Sequence, residues 1–186
     1  MTLNKKEIDK IESHIFGNFD AINVLIRHNY LIQAVSLLMT HIDQMSWLSI
    51  EDFCSKSNNF KDWLNKYCDF NKYNLTCSSE ELWMFRSSAI HMGTAINKKY
   101  KNCETKPHAQ LAFYYADYDY PNLQEESENI TKGYNTPTKH VNLKHLIDCT
   151  KQGTDIFKNE IYSSEFISSG LQNKLSYILT VEVEDL

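Results

Sequence analysis

The stretch from Phe19 to Leu48 constrains the fold of this chain more than any other, because it carries apolar residues at helical spacing. They recur at steps of three and four positions, as Ile22, Leu25, Ile26, Leu31, Val35, Leu38, Ile42 and Met45. Such spacing is typical of an amphipathic helix. Further apolar residues widen the stripe, namely Val24, Ile32, Leu37 and Met39. We therefore expect a long helix at the centre of a bundle or against a second subunit.

Length and charge limit the classes of protein that this chain can belong to. Its 186 residues, of which 42% are hydrophobic, are enough to bury a substantial core. They predict a single domain spanning 1–186. The formal net charge is -5, so the surface as a whole is not built to lie on nucleic acid. Any polyanion would have to bind at a local site.

The cysteines and the N-terminus predict a cytoplasmic protein. The five cysteines are an odd number and no two are spaced as C-x-x-C, so neither a zinc module nor a disulfide framework is indicated. The first residues, MTLNKKE, lack the apolar core of a signal peptide. Residues 28–42 are uncharged, but they are shorter than the roughly 20 apolar residues that a membrane span needs. We expect no membrane partner.

The remaining segments predict a mainly α fold with a minor β element. Helical spacing occurs in 4–15, 60–67, 79–92, 141–161 and 164–178. Alternating apolar and aromatic residues predict a strand near 109–117, with 177–183 as its candidate partner strand. Residues 118–138 contain two of the three prolines, several acids and few apolar residues, so a long surface loop is expected there.

Several common catalytic motifs are absent from the sequence. The five glycines are not clustered, so there is no phosphate-binding loop, and neither H-E-x-x-H nor G-x-S-x-G occurs. We therefore expect no metal and no cofactor. His140 and His145 are interpreted as surface or capping residues, and Cys54 and Cys149 as core residues. The acids of the predicted loop are interpreted as a solvated face, namely Asp117, Asp119, Glu125, Glu126 and Glu128.

The predicted helix over 79–92 carries a charge where a core face is expected. Ser78 and Glu81 form the pattern of a capping box at its start. Arg86 follows, and its neighbours three and four positions away are all apolar: Leu82, Trp83, Ala89 and Ile90. A buried guanidinium is unfavourable unless it is paired or used in function. His91 lies five positions later, next to small and polar residues that leave room for a phosphate: Ser87, Ser88, Thr94 and Ala95.

This segment, LWMFRSSAIH from Leu82 to His91, resembles the L-x-x-x-R-x-x-x-x-H stretch of the HEPN superfamily (higher eukaryote and prokaryote nucleotide-binding). Many members of that superfamily are metal-independent ribonucleases, often toxins or defence effectors. Members commonly have a polar residue directly after the arginine, and Ser87 fills that place. The layout over residues 19–160 is also similar: a long helix before the motif, then an aromatic strand and another helix.

The resemblance implies a HEPN-like helical bundle that forms a homodimer, with two such motifs in one cleft. Arg86 would stabilise the charge on an RNA phosphate, and His91 would be the general acid or base, with Ser87 orienting the phosphate. These residue types suit the two tasks near neutral pH. Ser88, Lys98 and Lys99 would bind the RNA backbone. The lysines are equally interpreted as cations near a helix C-terminus.

The residues leave other interpretations open. Arg86 can be a structural arginine paired with a buried acid, for which Asp43 is the nearest candidate in the sequence. The chain would then be a catalytically inactive HEPN-like dimer that binds itself, an antitoxin or another partner protein. A nucleotide-binding protein that uses the pocket of Arg86 is a third interpretation.

Overall fold

The computed structural model describes residues 5–52, 54, 57–92, 109–119, 122–134, 137–163, 169–175 and 177. The prediction of a mainly α fold with a minor β element is confirmed. The helices are α1 (Lys5–Ile11), α2 (Asn18–Arg27), α3 (Leu31–Leu48), α4 (Ser57–Tyr67), α5 (Ser79–Met92), α6 (Leu123–Tyr134), α7 (Leu143–Ser163) and α8 (Ser169–Leu175), and a π-helical segment (Glu12–Phe16) follows α1.

The chain divides into two compact units. The first consists of Met1–Trp63 and Gly153–Leu186, and the second is Leu64–Gln152. The boundaries fall within α4 and α7. The single domain expected over 1–186 stays a prediction.

In the first unit, the long helix predicted from Phe19 to Leu48 is wrong, because two helices replace it. The chain leaves α2 at His28, and Asn29 adopts a left-handed conformation with φ of 61°. The amide of Tyr30 donates to the carbonyl of Leu25 at 2.8 Å, which closes the end of α2. Asparagine tolerates this conformation better than most residues with a side chain. The break therefore depends on one local backbone preference, which the apolar periodicity hides.

The core of the first unit forms around one face of α3. Its fully buried side chains include Leu38, Met39, Ile42 and Met45. The apolar stripe is not covered on all sides, since Ile32 of α3 is 77% exposed and Val24 of α2 is 52% exposed. The helix is thus amphipathic within the described residues, as its spacing predicts.

Two buried polar side chains of the first unit have hydrogen-bond partners within that unit. His41 is fully buried, and its Nε2 lies 2.9 Å from Oγ1 of the buried Thr154 on α7. Lys174 of α8 is also fully buried, and its Nζ donates to the carbonyls of Trp47 and Ile50. These carbonyls lie at and just beyond the C-terminus of α3, where helix geometry leaves acceptors without an internal partner.

The second unit contains a two-stranded parallel sheet. Strand β1 (Gln110–Tyr114) confirms the strand predicted near 109–117, and it pairs with β2 (Thr138–Asn142), in a register that sets Gln110 opposite Thr138 and Tyr114 opposite Asn142. The surface loop expected over 118–138 is wrong, since α6 occupies most of it. The helix expected from 141 begins at Leu143, after β2. The alternative partner strand, 177–183, lies outside the described residues except for Tyr177.

Strands β1 and β2 are joined through α6 into a β–α–β unit, and α6 packs on β2 while α5 packs on β1. A parallel pair needs such a crossover because its strands run in the same direction. Within the described part of the chain, every helix is too short or too polar to cross a membrane.

Candidate functional site

Helix α5 begins with the predicted capping box. The amide of Ser78 donates to Glu81 Oε2 at 2.8 Å, and the amide of Glu81 donates to Ser78 Oγ at 3.2 Å. This reciprocal pair satisfies two donors that the first turn of a helix leaves open. The start of the motif helix is therefore fixed by its own sequence.

The carboxylate of Glu81 is also paired with β2. Lys139 Nζ lies 2.8 Å from Glu81 Oε1, and the Glu81 side chain is only 9% exposed. Burial alone would raise the pKa of Glu81, but the hydrogen bonds from Lys139 and Ser78 outweigh it and hold the pKa below its ordinary value. The pair ties the N-terminus of α5 to the second strand of the sheet.

The buried face of α5 packs against β1. Leu82, Met84 and Phe85 are buried, and the Phe85 ring lies 4.7 Å from the ring of Phe113 on β1. Aromatic pairs at this distance and tilt are favourable beyond their area burial. This contact holds the middle of α5, directly before Arg86.

Arg86 is half-buried on α5, and Ser87 beside it is half-buried as well. The Ser87 hydroxyl donates to the carbonyl of Trp83 at 3.3 Å. The backbone of His91 lies in the same helix, one residue before its end at Met92. The side chains of Ser88 and His91, together with all of Lys98 and Lys99, lie outside the described residues. Asp43, the proposed acid partner of Arg86, belongs to the other unit.

A cleft of about 400 Å³ in the second unit runs along β2, from its first residue, Thr138, to its last, Asn142, and beside α6. Every lining residue except Leu123 carries a polar group, and the lining consists of Asn74, Thr76, Tyr114, Asp119, Leu123, Ser127, Thr138, Lys139, His140 and Asn142. Small-molecule sites are commonly clefts of about 300–1,000 Å³. The cleft is therefore large enough to hold a small ligand.

Ser127 and His140 face each other in this cleft. Ser127 Oγ on α6 lies 2.6 Å from His140 Nδ1 on β2, and both residues are half-buried. The strand at His140 is held by Thr76, whose hydroxyl donates to the His140 carbonyl at 2.6 Å. A hydroxyl within hydrogen-bond reach of an imidazole can pass its proton to that ring. His140 lies on a strand, so it does not cap a helix, and its interpretation as a surface residue stays a prediction.

Asp119 lies on another wall of the cleft and is surrounded by polar groups. Tyr114 donates its hydroxyl to Asp119 Oδ1 at 2.7 Å, and the Asn142 amide lies 3.4 Å from the same oxygen. His145 Nδ1 lies 3.8 Å from this oxygen and is buried without a hydrogen-bond partner among the described residues. Asp119 is therefore part of a polar cluster, while its side chain remains 49% exposed, as expected of a solvated acid.

These cleft residues were missed because they come together only in the folded chain. The helix that carries Ser127 does have a sequence signal: Asn122 followed by Glu125 is a start pattern, and the Asn122 carbonyl accepts from the amide of Glu126 at 3.1 Å. The exposed Cys54 contradicts the expectation of a core residue, whereas Cys149 is buried as expected. Within the described residues, no group of three or more His, Cys, Asp or Glu is placed to hold a metal ion.

No family model matches the chain, and no curated protein or solved structure shows significant similarity to it.

Proposed function

We propose that this protein is a metal-independent endoribonuclease of the HEPN type that acts as a homodimer. Arg86 stabilises the charge on the scissile phosphate, His91 is the general acid or base, and Ser87 orients the phosphate. The observation that carries the proposal is the half-buried position of Arg86, one helical turn from the fully buried Leu82. At the edge of an apolar core, water screens a guanidinium less than at an open surface, so it binds a phosphate more strongly.

The rigidity of α5 supports the proposal. Three interactions hold the part of α5 that precedes Arg86: the capping box, the Glu81–Lys139 pair and the Phe85–Phe113 contact. Along an α-helix, positions 86 and 91 are separated by about 7.5 Å and roughly 140°. Two side chains so placed can reach one groove beside the helix, and a second subunit would close that groove with its own motif.

The chemistry needs no metal. Removal of the proton from a ribose 2′-hydroxyl lets that oxygen attack the adjacent phosphorus, and the 5′-oxygen leaves with a proton from a general acid. Arg86 would stabilise the additional negative charge on the phosphorane. The products are a 2′,3′-cyclic phosphate and a 5′-hydroxyl. Ser88, Lys98 and Lys99 would contact the neighbouring phosphates of the RNA.

The test is cleavage of single-stranded RNA in the presence of EDTA. We expect His91→Ala to abolish cleavage, and Arg86→Lys to reduce it because a lysine keeps the charge but loses the planar fork. His140→Gln, in the separate cleft, is the matched control and should cleave as the parent does. Cleavage that persists in His91→Ala, or that is absent from the folded parent protein, would contradict the proposal.

A non-catalytic association module is the second candidate, and the exposed apolar residues around the α2–α3 turn favour it. Val24, Tyr30 and Ile32 are each more than half exposed. Ile32→Glu tests this surface without touching the core, whereas Leu38 is fully buried and a charge there would unfold the protein. This candidate predicts no RNA cleavage and a dimer, seen in sedimentation, that Ile32→Glu dissociates. A dimer that survives Ile32→Glu would contradict it.

A further inference from the structure

We propose that the cleft between β2 and α6 is an acyl-transfer site in which Ser127 is the nucleophile and His140 is its general base. The site is separate from the Arg86–His91 motif and does not depend on the proposed ribonuclease activity. Its substrates are small uncharged esters that carry hydroxyl groups.

The first argument is the pairing of the two side chains. A serine hydroxyl is a weak nucleophile unless a base within hydrogen-bond reach takes its proton. Ser127 Oγ and His140 Nδ1 are 2.6 Å apart, at the short end of the range for an oxygen donor. Both line the open cleft, so a substrate carbonyl can approach the serine oxygen.

The second argument is that regular structure holds both partners. Ser127 lies in the second turn of α6, and His140 is the middle residue of β2, opposite Ala112 of β1. The His140 carbonyl accepts from the Thr76 hydroxyl, which helps to hold the strand in place. Catalytic groups on helices and strands keep their geometry better than groups on loops.

The reaction that follows balances within the site. Ser127 Oγ attacks the ester carbonyl while its proton passes to His140 Nδ1, and the tetrahedral intermediate collapses as the alcohol leaves with that proton. Water then attacks the acyl-serine, gives its proton to His140 Nδ1, and the ring returns this proton to Ser127 Oγ as the acid is released. The sum is one ester and one water converted into one alcohol and one carboxylic acid.

The lining indicates the substrate class. Asp119 offers a carboxylate as an acceptor for substrate hydroxyls, and Tyr114 and Asn142 hold it in place. Lys139 is paired with Glu81, so it brings little net charge to the cleft. The ammonium of Lys139 and the amide of Asn74 are donors that can face the developing oxyanion. A negatively charged substrate is disfavoured by Asp119.

The experiment uses the full-length protein and an alkyl fluorophosphonate, which phosphonylates activated serines. We expect one adduct, at Ser127, located by peptide mass spectrometry. Ser127→Ala should remove it. His140→Gln keeps a hydrogen-bond acceptor for Ser127 but not a base, and should slow labelling about 10²- to 10⁴-fold. Ser163→Ala, at the end of α7, is the control and should be labelled at the parent rate.

No adduct on the folded parent protein, an adduct on another serine, or unchanged labelling of His140→Gln would each overturn the proposal. The mass spectrum of the parent protein decides the site even if Ser127→Ala fails to fold. RNA cleavage by the parent in EDTA is measured on the same preparation. A failure of the acyl-transfer proposal is thereby distinguished from a failure of the ribonuclease proposal.

Discussion

Lys139 Nζ of β2 lies 2.8 Å from Glu81 Oε1, and the same carboxylate accepts from the amide of Ser78 at the start of α5. One acidic side chain thus caps the motif helix and binds it to the sheet. Because Lys139 also lines the Ser127–His140 cleft, this ion pair connects the two candidate sites of the second unit.

Removal of the Glu81–Lys139 pair should change how the free energy of unfolding depends on pH. Glu81 has a pKa below its ordinary value of 4.5, so its ionised form stabilises the folded protein above about pH 4.5. That contribution is lost as the pH falls through the lowered pKa. We expect Lys139→Met to reduce the free energy of unfolding at pH 7 by about 1–2 kcal/mol and to flatten its decrease between pH 5 and pH 3.

Urea unfolding at a series of pH values measures this effect. Lys144→Met is the control, because Lys144 pairs with Asp148 one turn later on α7 and both side chains are partly exposed. Such pairs contribute little. If the free energy of unfolding has the same pH dependence in Lys139→Met and in the parent, the lowered pKa of Glu81 does not depend on Lys139.

Lys174 should be a strong determinant of stability in the first unit. Its buried Nζ donates to the carbonyls of Trp47 and Ile50 and lies 5.3 Å from the centre of the Trp47 ring. Burial lowers its pKa, while the nearby Glu51 and Asp52 act in the opposite direction. Lys174→Ala removes both hydrogen bonds and leaves a cavity, so we expect a loss of about 2–4 kcal/mol.

Thermal unfolding followed by circular dichroism checks this prediction. Lys6→Ala on α1 is the matched control, since Lys6 is exposed. A melting temperature for Lys174→Ala within one degree of the Lys6→Ala value would contradict it.

The effect of a substitution at Asn29 on stability should depend only on how well the new residue adopts the left-handed backbone conformation. Its φ of 61° is strained for a residue with a Cβ, and glycine adopts it freely. We expect Asn29→Ala to destabilise the protein by about 1 kcal/mol and Asn29→Gly to be nearly neutral. Denaturant unfolding of both variants gives the comparison, with the exposed Gln33→Ala as control. Equal losses for alanine and glycine would refute the conformational explanation.

The cysteines should differ widely in reactivity. Cys54 is exposed, whereas burial, aided by the Glu81 carboxylate, raises the pKa of Cys77 to about 12. A hydrogen bond with Cys149, together with burial, also raises the pKa of Cys68. Thiolates are the reactive species, so iodoacetamide at pH 8 should modify Cys54 before Cys68, Cys77 and Cys149. Peptide mass spectrometry of a time course measures the order, and guanidinium should abolish the difference. Early modification of Cys77 would contradict it.

The features that the sequence predicted well are those with a local cause. Helix α5 has the bounds expected of it, because Ser78 and Glu81 act within one turn. The break at Asn29 was missed because the apolar spacing continues on both sides of it. The sequence of α6 predicts a loop because it is acidic and contains few apolar residues. Strand β2 is five residues long and its partner lies far away in the chain, so no periodicity identifies it.

The two candidate sites differ in the same way. Arg86 and His91 are separated by five positions on one helix, and a motif can describe them. Ser127 and His140 belong to different elements, and their 2.6 Å separation exists only once α6 packs on β2. Nothing in the spacing of these two residues indicates contact. The cleft is a product of tertiary structure.

The parallel pairing of β1 with β2 also determines the order in which the second unit is completed. Gln110 pairs with Thr138, so the pairing of β1 with β2 cannot form until the whole of α6 and the second strand have been synthesised. Contacts between such distant positions form late, because the loop between them must close first. During synthesis on the ribosome, the backbone groups of β1 therefore cannot pair with β2 until the chain has grown past Asn142.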